Sequence, residues 1–137
     1  MKVIGPNELL FPDSKGNNRL DTFTNALSNP KVGLMFFVQG VDETLRVKGN
    51  LTLHDDPELI KLVEGPNFKA SMAVRIEVTE LFFHCGKAAM RAGLWEGQYK
   101  IERSEFPSLG QILKDQQHLD GVPASQDEVV KHYKETL

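Results

Sequence analysis

The sequence predicts an α+β fold: antiparallel strands, short helices at their ends and a helical C-terminal extension. Three observations predict it. Apolar and polar residues alternate from Thr44 to Leu53 and in the run from Met72 to Phe83, the period of strands buried on one face. Apolar residues recur at helical spacing in Leu20, Phe23 and Leu27, and again after Ser108 and Ser125. Turn residues punctuate the runs at Gly5-Pro6-Asn7, Asn29-Pro30, Gly40 and Gly65-Pro66. A chain of 137 residues, 40% hydrophobic and 26% charged, can bury one modest core.

Charge and cysteine usage narrow the function classes. A formal net charge of -3 leaves no general basic surface of the kind nucleic-acid binders use, so no nucleic-acid partner is expected and the cations that matter are local. Cys85 is the one cysteine, which excludes a disulfide within the chain and fits a reducing compartment. With no basic-apolar leader pattern and no long apolar run, a soluble cytoplasmic protein with no membrane partner is expected.

In chain order, Lys2-Val3-Ile4 and Glu8-Leu9-Leu10-Phe11 form a hairpin about Gly5-Pro6-Asn7. The stretch from Asp13 to Thr22 then gathers small, amide and cationic side chains between a strand and a helix. That is the composition of an anion site: glycine and asparagine let several N–H groups converge, and a lysine and an arginine add charge-assisted hydrogen bonds. With Thr22 in the first helical turn, its hydroxyl and the amides there add donors. Arg19 is the first candidate ligand, with Asn18, Thr22 and Lys15 in support; a solvated loop with an Asn helix cap uses the same residues. The helix runs from Arg19 to Ser28, with Leu20, Phe23 and Leu27 as its stripe.

After Asn29-Pro30 a buried strand runs through Val32 to Phe37. The strand Thr44 to Leu53 follows, with Leu45, Val47, Leu51 and Leu53 on one face and Thr44, Arg46, Lys48, Asn50 and Thr52 on the other. Asp55, Asp56 and Pro57 open a helix with the stripe Leu59, Ile60, Leu62 and Val63; capping explains these residues, with His54, better than a metal site does. Met72 to Phe83 is the longest strand, Val74, Ile76 and Val78 opposing Arg75, Glu77 and Thr79. His84 and Cys85 point to opposite sides of a strand, and no further ligands follow at metal spacing, so no metal is predicted. Lys87 and Arg91 share a helix face. Two capping boxes, at Ser108 and Ser125, start helices over Leu109 to Gln117 and Gln126 to Thr136.

Four blocks stand in order: Gly-Asn-Asn-Arg-Leu-Asp-Thr at Gly16, Asn-Pro-x-Val-Gly-Leu-x-Phe at Asn29, Gly-Val-Asp-Glu-Thr-Leu-Arg-Val-x-Gly at Gly40, and Phe-His-Cys-Gly-Lys-Ala-x-Met-Arg at Phe83. From about Gly5 to Trp95 they resemble the pyridoxamine 5'-phosphate oxidase-like flavoproteins, the FMN-binding split barrels, in a bacterial branch of them. The resemblance implies an antiparallel split β-barrel of six strands or fewer over residues 1–95 and a helical extension over 96–137, packed on the barrel or on a dimer partner. It implies an FMN cofactor whose ring is lined by Gln39, Glu43, Thr44 and Arg46; an ion pair of Arg46 with Glu43 or Glu77 is the plainer alternative. Lys87 and Arg91 would meet flavin phosphate from a dimer mate or an anionic substrate, or form a solvated basic face.

The resemblance also implies a homodimer with flavin at the subunit interface. It implies strands ahead of the first hairpin, including an arginine segment for the flavin phosphate. This sequence does not show them; a shortened member, a late start, or a barrel completed by a partner's strand would each leave an edge to cover. The function expected is an FMN-dependent oxidoreductase acting on a small-molecule substrate, the flavin carrying the chemistry, so that no catalytic residue is named. Arg46 or Arg91 would orient an anionic substrate. The alternatives are a non-enzymatic flavin- or haem-binding sensor and a cofactor-free barrel with an interaction role.

Overall fold

The computed structural model describes every residue of the chain except Lys15, Asn17, Asn67 and Leu137, and the side chain of Thr136. The chain divides into two units, Met1–Glu96 and Gly97–Leu137.

The first unit opens with the hairpin of β1 (Lys2–Gly5) and β2 (Glu8–Asp13). Then come α1 (Asp21–Ser28), β3 (Lys31–Phe36), β4 (Thr44–His54), α2 (Pro57–Val63), β5 (Met72–His84) and α3 (Lys87–Ala92). The five strands form one antiparallel sheet in the order β1-β2-β5-β4-β3. With β1 and β3 at its edges, the sheet is open among the described residues. The architecture is α+β, and the strands present do not close into a barrel.

Each face of the sheet carries its own core. On one, Leu51, Val74 and Ile76 pack with Ala26 of α1, joined by Leu9, Phe11, Phe23, Val32, Leu34 and Leu53. The stripe of α1 differs from the predicted one. Leu20 is the N-cap and half exposed, Leu27 is 78% exposed, and Phe23 with Ala26 faces the sheet. A helix of eight residues offers about two turns, and one position of offset rotates a side chain by about 100°; small Ala26 lets the helix sit close.

On the other face, Leu10, Val63 and Ala73 pack with Ile4, Leu59, Ile60 and Ala70 beneath α2. This helix starts as its residues dictate. The Asp56 carboxylate accepts from the Glu58 N–H at 2.9 Å, with Pro57 first in the helix.

β5 changes phase midway. Lys48 pairs with Glu80 while Gly49 pairs with Val78, leaving Thr79 as a bulge whose hydroxyl donates to the Lys48 carbonyl at 3.2 Å. The predicted face of Val74, Ile76 and Val78 therefore continues through Leu81 and Phe83. β2 pairs with β5 only as far as Glu77, so among the described residues β4 alone pairs with the strand from Thr79 to His84. Leu81 and Phe83 are 58% and 74% exposed.

The second unit holds a 3-10 turn (Arg103–Glu105), α4 (Leu109–Gln117) and α5 (Gln126–Thr136), the last two in contact. Ser108 caps α4 by accepting from the Gln111 N–H at 3.1 Å, and its hydroxyl donates to the Ala124 carbonyl at 3.1 Å. Ser125 and Glu128 make both halves of a capping box. The Ser125 N–H and hydroxyl donate to the Glu128 carboxylate at 2.8 Å, and the Glu128 N–H donates to Ser125 Oγ at 3.3 Å.

The backbone and then the side-chain hydrogen bond from Ser125 hold the Glu128 carboxyl below its ordinary value. A carboxyl whose pKa falls on folding stabilises the fold above its unfolded value, and that contribution is lost as pH drops through the folded one. We predict that the Glu128 side-chain carbon titrates by NMR below the ordinary glutamate range, that the start of α5 frays in the same acid window, and that Ser125→Ala, which removes the hydroxyl but keeps the backbone N–H, moves the titration only part of the way back. An ordinary Glu128 midpoint in the unmodified chain would contradict the box.

Candidate functional site

Two groups of candidate residues lie toward opposite ends of the sheet. The first surrounds a cleft of about 790 Å³ between the end of β2, the start of β5 and the loop entering α1. Asn18, Arg19 and Thr22 all line it, with Ser14 and Ser71 adding hydroxyls. Asn18 adopts φ 57°, in the left-handed region that Asn tolerates. Thr22 is the second residue of α1, and the Leu20 N-cap gives no side-chain acceptor, so the helix's leading amides carry no side-chain cap. Lys15 lies outside the described residues.

The cleft is not uniformly suited to an anion. Asp13 contributes a carboxylate to its wall. Arg19 already meets a counter-charge: its Nε and Nη2 donate to one Asp21 oxygen at 3.1 and 3.0 Å. Both side chains are over two-thirds exposed, where such pairs contribute only about 0–1 kcal/mol, so a stronger acceptor can displace Asp21.

The second group converges where β4 begins and β5 ends. Thr44 is buried and sits opposite His84. Gln39 and Glu43 are exposed in the loop before it, and Lys87 and Arg91 are exposed on α3. Close backbone approach holds this end together: a Cβ on Gly86 would lie 2.5 Å from Asp42 Cβ, and the Trp95 indole N–H donates to the Val41 carbonyl at 2.9 Å. Arg46 is half-buried between its cross-strand neighbours Met35 and Phe82. The ion pair anticipated with Glu43 or Glu77 does not form; Glu8 instead pairs with Arg75. The Arg46 Nε is buried and has no hydrogen-bond partner among the described residues.

β5 runs from Met72 at the cleft to Phe82 beside Arg46, roughly 30 Å of strand at ~3.3 Å per residue. The fold thus brings Asn18, Arg19 and Thr22 together, and Gln39, Glu43, Thr44, Arg46, Lys87 and Arg91 toward the other end, without joining the two groups within one chain. Sequence reasoning included Asp13 in the anion stretch but missed Ser71 and Met72 as cleft walls. Sliding the alternation of β2 against that of β5 would have found them, because Asp13 pairs with Met72.

His54 Nε2 lies 2.8 Å from Thr52 Oγ1, Asp56 is spent on capping, and the described residues hold no cluster of three or more metal-ligating side chains. No helix among them is long and apolar enough to cross a membrane. Comparison with models of known protein families and with curated proteins finds no match to this chain.

Proposed function

We propose that the protein binds FMN as a homodimer, with each flavin between two subunits, and acts as an FMN-dependent oxidoreductase of the pyridoxamine 5'-phosphate oxidase-like split-barrel type. The observation that carries this reading is the separation of the two residue groups. Each is chemically suited to one end of a flavin mononucleotide, and they lie farther apart in one chain than the molecule reaches, so a complete site takes one group from each subunit. The edge of β5 from Thr79 to His84, unpaired on one side among the described residues and carrying exposed Leu81 and Phe83, supports a neighbour that completes the barrel.

The residues present fit both parts of the cofactor. At the cleft, the amides leading α1, Asn18, the Thr22 hydroxyl and an Arg19 released from Asp21 would hold the phosphate. At the other end, the backbone of β4 with Gln39, Glu43 and Thr44 would meet the ring, and Lys87 or Arg91 would reach the partner's phosphate. Bound FMN supplies hydride and electron transfer, and the chain supplies position and charge. The substrate is a small molecule; oxidation of pyridoxamine phosphate itself does not follow, since one fold hosts many chemistries.

Absorption titration with FMN tests this reading. We expect one FMN per subunit, reduction of the bound flavin by NADPH, NADH or a reduced deazaflavin, and about tenfold weaker binding in Arg19→Ala, ~1.4 kcal/mol, with the melting temperature unchanged. Unaltered affinity in Arg19→Ala would remove Arg19 from the phosphate site. Bound flavin that none of these reductants touches would replace the enzyme by a flavin-binding protein.

A further inference from the structure

We propose that Arg46 is the recognition point for an organic monocarboxylate, the guanidinium taking the carboxylate and the Met35–Phe82 pair taking the apolar body attached to it. Arg46 is half-buried near the start of β4, and its Nε is sealed from solvent with no acceptor among the described residues. That N–H has lost water without gaining a partner, and a turn of the side chain that brings it to a docked anion recovers the loss. Its planar fork fits the two oxygens of a carboxylate.

The surroundings select the kind of anion. Lys48, the next cation along this face of β4, is committed to Glu80 at 2.8 Å and lies over the Phe82 ring, 5.7 Å from its centroid. Among the described residues on this face of β4, the one uncommitted positive charge, Arg46, matches a monoanion better than a phosphate dianion. On either side, at the same level of the sheet, stand Met35, 48% exposed, and Phe82. A thioether and an aromatic ring accept a hydrocarbon or aryl body but offer nothing to a hydrated inorganic ion. The proposal rests on the flavin reading for the ligand's role as substrate; the binding itself does not.

The test uses the full chain without FMN, so that its failure and that of the flavin reading are separate results. Because the Arg46 Nε–H is buried, it exchanges slowly with water and gives a resolvable NMR signal, assigned by its loss in Arg46→Lys. Titration with benzoate is expected to move this signal saturably. Benzamide and inorganic phosphate at matched ionic strength should leave it in place. Arg46→Lys, which keeps the charge but not the fork, should weaken benzoate binding by about tenfold or more in calorimetry, with an unchanged melting temperature. The proposal is overturned by an Arg46 signal that benzoate does not move, by an equal response to phosphate or benzamide, or by full benzoate affinity in Arg46→Lys.

Discussion

Leu10→Ala is expected to lower the unfolding free energy by about 2–5 kcal/mol, the range for emptying a fully enclosed leucine site. Leu10 is 0% exposed, and its neighbours Ala73 and Val63 are themselves buried. The site cannot collapse cheaply. One wall is the β2–β5 ladder, in which Leu10 pairs with Arg75, and the other is α2, which has seven residues and is too short to persist on its own helical propensity. The loss should therefore also loosen α2. Urea unfolding should show a lower midpoint at unchanged slope, and amides of Ile60 to Val63 should lose exchange protection. A cost below about 1 kcal/mol would mean that this second core is not closed as described.

Gly49→Ala should be nearly as damaging, through overpacking. A Cβ there would stand 2.4 Å from the Glu77 carbonyl oxygen and 2.8 Å from Ile76 Cγ2. The first obstacle is backbone in the β4–β5 ladder beside the Thr79 bulge, so relief requires moving the strand. Overpacking of this kind costs about 1–3 kcal/mol or more. Gly33→Ala is the matched control: it lies on the neighbouring edge strand with nothing within 4 Å of the added carbon, and alanine there should be neutral or slightly stabilising. Equal midpoints for the two variants in thermal or urea unfolding would contradict the close approach at Gly49.

These two sites also mark where the sequence could and could not be read. Features set by neighbours in the chain were legible: Ser108, Ser125 and Asp56-Pro57 announce the starts of α4, α5 and α2 because a cap needs only residues within one turn. The first hairpin was legible from Gly5-Pro6-Asn7 for the same reason. Features set by partners across the sheet were not. The Thr79 bulge exists because of how β5 pairs with β4, so the continuation of the Ile76 face into Leu81 and Phe83 escaped a simple two-residue period. The choice of Ala26 over Leu27 as the inward side chain of α1 depends on how closely the helix lies on Leu51 and Val74. At the candidate site, the loop residues that share one sequence stretch could be grouped in advance. The partners of charged residues could not: Arg19 meets Asp21, Glu8 meets Arg75, and Arg46 meets none of the acids proposed for it.

Native mass spectrometry of the full chain mixed with FMN tests the central claim most directly, because it counts subunits and cofactors in the same particle. The shared-site account predicts a dimer carrying two FMN, with no flavin on the monomer. A monomer that retains FMN would contradict the division of the site between subunits, and a chain that retains none in any state would contradict the flavin reading as a whole.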